Sequence, residues 1–522
     1  MFSLFRSTLT VGGLTFLSRI TGFLRDVITA NLLGAGPMAD AWVVALRLPN
    51  FFRRLLAEGA FSVSFVPMYA RKLEEETSAQ AKEFANNVLG FMLIVLLAIT
   101  AIFVLFMPWV IALIAPGFAD NPQQADLATH LSRLTFPYLI FICLAALYGG
   151  VLNALGRFGP FAFIPVLFNL ITASALYLLS PLLHSPAHAA AWGLALVGPV
   201  QLAYMIWQAK RAGITLRLTL PKLDGDVKKL LKIMGPGAMG AGVMQINLLF
   251  DTIFASKLGE GAISYLYYAD RLYQFPLSMI GIAFSTVLLP MLTRNLVAEG
   301  EERARQSLVT GVLVSLFLGV PAAAALIVAS FPIIATLFQH GAFTLEDSHH
   351  TANALAAYSI GIPAFILVKV LSTAYFAREN TKSPVKIAIF TTALHIAMAL
   401  VMMQFWSYVG IALSTSITAY INALFLALGL YRKKQLSFSA VEKRRLMGML
   451  ASTALMMGIL LLVIPRLEPY FAHNIKYLLM PIIVGSGIAL YLVGLVLFKA
   501  ITLQEVNSGW QMVQAKINRS RS

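Results

Sequence analysis

The sequence predicts an all-α polytopic membrane protein with about 14 transmembrane helices, arranged as two parallel six-helix lobes followed by two C-terminal helices. Composition is the first reason, because 59% of the 522 residues are hydrophobic, only 12% are charged, and the mean hydropathy is +0.78. The second is that apolar runs of about 20 residues, the length that crosses a bilayer, recur along the chain. The third is an internal repeat. Together they exclude an ordinary soluble protein.

Fourteen apolar segments with short polar breaks account for the chain. They lie near residues 8–33, 39–70, 84–115, 126–155, 158–183, 189–209, 230–256, 261–293, 306–337, 350–377, 384–406, 408–431, 446–465 and 477–498. They predict an N-terminal lobe at 1–225, a C-terminal lobe at 226–437 and a final region at 438–522. Pro49 should free a carbonyl one turn earlier in the second segment and kink it, because proline has no amide hydrogen.

The formal net charge of +16 indicates orientation in the membrane rather than nucleic-acid binding. When each loop is numbered by the span before it, the even-numbered loops hold 23 Lys or Arg and the odd-numbered loops hold three. Loops rich in Lys and Arg stay in the cytoplasm. Both termini are therefore expected to be cytoplasmic.

Landmark residues recur at an offset of 224 to 226 positions. The pairs are Asp26 with Asp251, Gly34 with Gly259, Gly36 with Gly261, Gly117 with Gly341, Pro137 with Pro363, and Pro160 with Pro384. This offset contains six helices, an even number, so the two lobes are parallel repeats. Many secondary transporters use repeated lobes to build a central site with alternating access.

Most of the ionisable residues inside the predicted spans are basic. They are Arg19, Arg25, Arg47, Arg53, Arg54, Arg133, Arg271 and Lys369, against the acidic Asp26, Asp40, Glu58, Asp251 and Asp270. An arginine facing lipid near the middle of a helix costs about 2.5 to 3.5 kcal/mol. The spans therefore predict a cavity with net positive charge. Because guanidinium donates paired hydrogen bonds to phosphate, the cavity favours an anionic, phosphorylated substrate.

Internal ion pairs are the alternative for individual charged residues. Asp26 could pair with an arginine of the second span, and Arg54 with Glu58 at i, i+4. Such pairs do not account for the net basic excess of eight against five.

Six motifs, in order and at consistent spacing, carry a family resemblance. They are SRITGFLRD at 18–26, ADAW at 39–42, LPNFFRRLLAEGAFSVSFVP at 48–67, APGFAD at 115–120, YYADRLYQFP at 267–276 and KSPVKIAI at 382–389. They resemble the MurJ/MviN family of bacterial lipid II flippases, within the multidrug/oligosaccharidyl-lipid/polysaccharide exporter superfamily. The resemblance implies a MATE-like fold in the bacterial inner membrane and a transporter rather than an enzyme. Its implied cargo is lipid II, moved from the cytoplasmic to the periplasmic leaflet.

The same resemblance implies roles for single residues. The substrate-binding residues would be Arg19, Arg25, Arg53 and Arg271. The residues that support the cavity or its gate would be Asp26, Asp40, Glu58, Asp270 and Lys369. The last two spans would form a groove for the lipid tail.

Ion coupling is where the chain departs from the family pattern. Some members hold sodium between spans 7, 11 and 12, and Asp251 matches the position on span 7, which makes it the candidate ion-coupling residue. Segment 384–403 offers Thr391, Thr392 and His395 but no Asn, Asp or Glu. We therefore expect no sodium site there and no other metal or cofactor. Coupling to the membrane potential is the simplest alternative.

Four other functions compete with lipid II transfer. A flippase for another polyprenyl-linked oligosaccharide would use the same cationic cavity, whereas a multidrug exporter of cationic compounds would be disfavoured by it. A membrane enzyme acting on polyprenyl phosphates would need a clustered acid, base or metal site, and a scaffold would need no buried charges. We expect a monomer, with the cell-wall synthesis machinery as the candidate partner and no nucleic acid.

Overall fold

The computed structural model describes the backbone of residues 2–501, and within it the side chains of 2–9, 58–60, 236–241, 243–244, 282–286 and 472 lie outside the description. Regular structure in the described part is helical, with no strand. The α-helices are α1 (Phe2–Leu33), α2 (Pro37–Arg53), α3 (Ser62–Glu75), α4 (Ser78–Leu105), α5 (Met107–Ile114), α6 (Pro122–Thr135), α7 (Tyr138–Ala154), α8 (Gly159–Leu179), α9 (Pro186–Arg211), α10 (Gly225–Ser256), α11 (Ala262–Ala298), α12 (Glu301–Val328), α13 (Ser330–Leu337), α14 (Leu345–Ile360), α15 (Ile362–Phe376), α16 (Lys382–Arg432), α17 (Ala440–Leu467) and α18 (Lys476–Leu497). A π-helix covers Arg54–Phe61, and 3₁₀ turns cover Pro116–Asp120 and Glu468–Ala472.

The helices group into two compact units. The first is Met1–Ser264 with His340–Thr344, and the second is Tyr265–Gln339 with Leu345–Ser522. In the first unit α8 packs on α1 and α9, α7 packs on α9, and α2 packs on α6. In the second, α15 packs on α12 and α16, and α17 packs on α18. The lobe boundaries drawn from the sequence repeat stay a prediction.

Pro49 frees a backbone acceptor in α2, and a side chain from another helix uses it. The carbonyl of Ala45, four residues earlier, accepts a hydrogen bond of 2.9 Å from the Thr135 hydroxyl of α6. Helix α2 nevertheless continues through Pro49 to Arg53, and regular α-helix gives way to the π-helix only there. Such π segments are common at functional sites, and this one packs against α10.

The structure bears on two of the span predictions, the break between the eleventh and twelfth spans and the number of spans. The helical run α16 contains two non-helical residues, Trp406 and Ser407, the latter with φ of 50°. This is where the sequence predicts the break between its eleventh and twelfth spans. Among the described residues, nine helical segments are long and apolar enough to cross a membrane. The all-α membrane fold is therefore confirmed, and the count of 14 stays a prediction.

Candidate functional site

A buried arginine and aspartate lie side by side in α1. Arg25 donates to Asp26 Oδ1 from Nε at 3.1 Å and from Nη2 at 2.6 Å. Its Nη1 donates to Asn169 Oδ1 of α8 at 3.0 Å, and its guanidinium carbon lies 5.3 Å from the centre of the Phe168 ring. The Asn169 amide in turn donates to the Ser18 carbonyl at 2.9 Å. Arg25 is thus held between α1 and α8, and the adjacent Arg25 is a partner of Asp26.

In this arrangement Arg25 already uses part of its hydrogen-bonding capacity. A guanidinium has five N–H donors, and the contacts to Asp26 and Asn169 use three of them. The carboxylate also balances the charge, which lowers the price of burying a cation in this unit. An anionic ligand would therefore have to share Arg25 with Asp26 or replace Asp26 as its partner.

Arg19, two turns earlier in α1, lines a cavity of about 510 Å³. Thr15 of α1, Asn153 at the end of α7, and Phe161 and Pro165 of α8 contribute to its wall. Within the described residues, the buried Oδ1 atom of Asn153 has no hydrogen-bond partner. The cavity therefore combines a cation, amide and hydroxyl groups, and apolar surface. This combination fits an anionic amphiphile.

Asp40, near the start of α2, is buried and serves as a capping group. Its carboxylate accepts from the backbone N–H of Gly261 at 2.7 Å, from the N–H of Ser264 at 2.8 Å and from the Ser264 hydroxyl at 2.6 Å. Gly261 immediately precedes α11 and Ser264 lies in its first turn, where the backbone N–H groups have no partner inside the helix. Asp40 therefore caps the N-terminal end of α11, a role that a residue next to the helix usually has, although Asp40 lies more than 200 positions away in the chain.

The arginines at the end of α2 have polar partners. Arg53 Nε donates to Asn50 Oδ1 at 3.0 Å, and Arg54 Nη1 donates to Gln245 Oε1 of α10 at 3.2 Å. Glu58 lies outside the described side chains, so its predicted pairing with Arg54 and its role at the gate stay predictions.

The second span also reaches α10 near the candidate ion-coupling residue. Arg47 Nη1 donates to the Thr252 hydroxyl at 2.6 Å, and Asp251, half-buried, precedes Thr252 in the chain. Two of the three residues offered by span 11 are engaged inside the second unit. The Thr391 hydroxyl accepts from Asn422 Nδ2 at 3.1 Å, and His395 Nδ1 lies 3.2 Å from Ser414 Oγ.

The second unit supplies its own half-buried charges. The guanidinium carbon of Arg271 lies 4.8 Å from the centre of the Tyr267 ring, and Asp270 accepts from Gln274 Nε2 at 2.5 Å. The neighbours Asp270 and Arg271 thus both contact residues one turn away in α11. Lys369 of α15 packs against Gly281 of α11, where an added Cβ would lie 2.8 Å from Lys369 Cδ.

Gly281→Ala is expected to displace Lys369 without unfolding the protein. The obstructing atom belongs to a flexible side chain, and alanine in a helix interior is about 0.5 to 1 kcal/mol more favourable than glycine. We expect transport to fall severalfold at unchanged abundance, measured by immunoblot beside a transport assay. Gly235→Ala in α10, where a Cβ meets no atom within 4 Å, is the matched control. Wild-type transport by Gly281→Ala would show that the position of Lys369 does not matter.

Three polar residues of this site were not predicted from the sequence: Asn169, Ser264 and Thr252. Asn169 had a usable signal, because it is an isolated amide in the apolar run 161–179 and such residues seldom face lipid. Ser264 and Thr252 had none, because small hydroxyl residues are common in membrane helices.

Comparison with known proteins agrees with the geometry. The family model for the lipid II flippase MurJ matches residues 29–482. A probable lipid II flippase MurJ of Rhizobium tropici is 39% identical over 471 residues, covering 90% of this chain and 88% of the relative. A protein of the same description from Rhizobium meliloti is 42% identical over 81% of this chain and 80% of its own. The lipid II flippase MurJ of Burkholderia cenocepacia is 35% identical over 83% and 84%.

Solved structures support the same relationship. A lipid II flippase MurJ in an inward closed conformation superposes with a TM-score of 0.77 at 27% identity, covering 94% of this chain and 98% of its own. An inward-facing MATE-family multidrug resistance transporter gives a TM-score of 0.65 at 16% identity, over 80% and 94%. The second likeness shows the fold alone, and it confirms the expected MATE-like architecture.

Proposed function

Because the chain belongs to the lipid II flippase MurJ family, we propose that it transfers lipid II from the cytoplasmic to the periplasmic leaflet by alternating access. Lipid II joins a diphosphate and a sugar-peptide headgroup to a long polyprenyl tail. The observation that carries the proposal is the Arg19 cavity, which sets one cation among polar and apolar groups. Guanidinium suits the diphosphate, and the apolar wall suits the first isoprene units. Transport of this kind makes and breaks no covalent bond.

Arg19 is the first contact for the diphosphate in this proposal. Arg25 is held ready by Asp26 and Asn169 and joins when the anion competes with the Asp26 carboxylate. Arg53 and Arg271 are the other proposed headgroup ligands. The proposed supporting residues are Asp26, Asp40, Glu58, Asp270 and Lys369. The last two helices, α17 and α18, are proposed to hold the lipid tail.

The proposed setting is the bacterial inner membrane, with both termini in the cytoplasm. It is supported by the 23 Lys and Arg of the even-numbered loops against three in the odd-numbered ones. A monomer is sufficient for the mechanism because one chain contains both repeated lobes. The cell-wall synthesis machinery remains the proposed partner.

Membrane potential is the proposed driving force. Moving one negative charge outward across an inside-negative membrane yields about 2.3 kcal/mol per 100 mV, equivalent to at most about 50-fold in rate. In right-side-out vesicles, an inside-negative potassium diffusion potential is expected to speed outward transfer and its collapse to slow it. If the rate ignored the potential and followed a sodium gradient instead, Asp251 would be the residue to substitute next.

Complementation tests the function itself. The wild-type chain, expressed in a bacterium depleted of its own lipid II flippase, is expected to restore growth and to lower the share of lipid II in the inner leaflet. A chain that reaches the membrane but leaves lipid II inside would exclude this cargo. The cationic cavity would then favour another polyprenyl-linked oligosaccharide over a multidrug exporter, because most drug cargoes of such exporters are cationic.

A further inference from the structure

The segment 212–224, which joins α9 to α10, is here called the strap. Hydrogen bonds between asparagine side chains of α4 and the backbone of the strap fix it to the first unit. The Asn87 side chain of α4 accepts from the Lys222 N–H at 2.6 Å and donates to the Lys222 carbonyl at 2.8 Å. It also donates to Asp224 Oδ2 at 2.6 Å. One residue earlier in α4, Asn86 Oδ1 accepts from the Arg217 N–H at 2.8 Å. The strap therefore follows a defined track along α4.

The strap packs closely against α4 at Gly90. A Cβ added at Gly90 would lie 2.3 Å from the carbonyl oxygen of Thr219, so this helix position accepts only glycine while the strap is in place. Beyond the strap, Lys72 Nζ forms an ion pair of 2.9 Å with Asp226 in the first turn of α10. Asn86, Asn87 and Gly90 lie at the start of the third span predicted from the sequence, so we expect the strap at headgroup depth.

The fixed strap presents leucines outward. Leu218 is 67% exposed, Leu220 is 89% exposed and Leu223 is 56% exposed. The hydrogen bonds hold only the backbone of the strap, so they do not force the leucine side chains to point outward. Exposing several leucines to water is unfavourable. Their exposure therefore indicates a surface that is covered in the working protein.

Charge around these leucines is strongly one-sided. Residues 210–232 hold seven Lys or Arg and two Asp. Both aspartates are already used, Asp224 by Asn87 and Asp226 by Lys72. Exposed basic side chains therefore flank the leucines, among them Arg217 and Lys222. Basic residues alternating with large apolar ones are typical of segments that lie in the interface of an anionic membrane.

We propose that the strap is an interfacial anchor that binds anionic phospholipid in the leaflet around the protein. The leucines enter the boundary between headgroups and acyl chains, and the basic side chains bind lipid phosphates. A bilayer is favoured over a protein partner because the strap is expected at headgroup depth beside a spanning helix and its net charge matches an anionic leaflet. This inference does not depend on the identity of the transported cargo.

Fluorescence of a labelled strap tests the proposal. Cys143, the single cysteine, is buried, so Cys143→Ser with Leu220→Cys allows one environment-sensitive label in the full chain. In nanodiscs with phosphatidylglycerol we expect emission at shorter wavelength and loss of most quenching by aqueous iodide. In phosphatidylcholine nanodiscs, or with Arg217→Gln and Lys222→Gln added, both effects should weaken, and high salt should act likewise. Glu74→Cys, in an exposed acidic stretch near α4, is the matched control and should stay quenchable throughout.

Two results would overturn the proposal. One is a label at 220 that iodide quenches equally in both lipid compositions and in the Gln variant. The other is a label at 220 that is protected from iodide only after cytoplasmic proteins are added, which would mean that a protein covers this surface. Either result can be obtained while lipid II transfer by the same sample is normal, so failure here is distinguishable from failure of the proposed function.

Discussion

Asp40→Ala is expected to lower the free energy of unfolding by about 3 to 5 kcal/mol and to abolish transport. The substitution removes a buried carboxylate that accepts three hydrogen bonds, two of them from the backbone amides of Gly261 and Ser264 at the N-terminal end of α11. Each buried donor left without a partner costs about 1 to 3 kcal/mol. The start of α11 would lose its cap, and this helix carries Arg271 and Asp270.

Ser264→Ala is the matched control for the Asp40 prediction. It removes only the hydroxyl bond of 2.6 Å and keeps both amide bonds to the carboxylate, so the expected loss is about 1 to 2 kcal/mol. Thermal unfolding of both purified variants, with the double variant to complete a cycle, measures the difference. Equal losses for the two single variants would contradict the capping role of Asp40.

Arg25→Ala is expected to abolish transport and also to lower abundance. Without the guanidinium, the buried Asp26 carboxylate loses its ion pair with Arg25, and breaking a buried pair by removing one partner typically costs about 3 to 5 kcal/mol. A loss of transport by this variant alone would therefore not separate binding from folding. Adding Asp26→Ala removes the buried carboxylate as well, so the double variant should recover abundance.

The double variant separates the two roles of Arg25. If Arg25 binds the diphosphate, Arg25→Ala with Asp26→Ala reaches the membrane at nearly wild-type abundance and still fails to move lipid II. Quantitative immunoblots beside leaflet-resolved lipid II measurements give both readouts. Recovery of transport together with abundance would mean that Arg25 only pairs with Asp26.

Hydropathy and local rules were sufficient for much of the fold. The break at Trp406 and Ser407 follows from span length, and the freed carbonyl at Ala45 follows from the chemistry of Pro49. What local rules could not supply is the partner of that carbonyl. Thr135 is 90 positions away, and nothing in its neighbourhood marks it among the many hydroxyl residues of the chain.

In the candidate site, too, the sequence could not identify which charged and polar residues contact each other. The cost of isolated buried charges makes internal ion pairs the alternative interpretation for single charged residues, and Arg25 with Asp26 is one such pair. Charge counting does not rank the possible partners, and it did not single out the ion pair between the adjacent Arg25 and Asp26. Asp40 was predicted as a cavity or gate residue from motif position alone. Its capping contacts to Gly261 and Ser264 depend on tertiary packing, which composition and spacing do not encode.

We propose that the cationic cavity around Arg19 binds the diphosphate of lipid II during its outward transfer. The most direct measurement is transfer of lipid II by purified protein in proteoliposomes, comparing the wild type with Arg19→Gln. Arg19 is half-buried at the cavity wall, so Arg19→Gln should fold and reconstitute like the wild type. If Arg19 has this role, the wild type transfers lipid II and Arg19→Gln transfers it at least about tenfold more slowly, the effect of losing about 1.4 kcal/mol of a charge-assisted contact. Equal rates for the two proteins, or no transfer by the wild type, would contradict it.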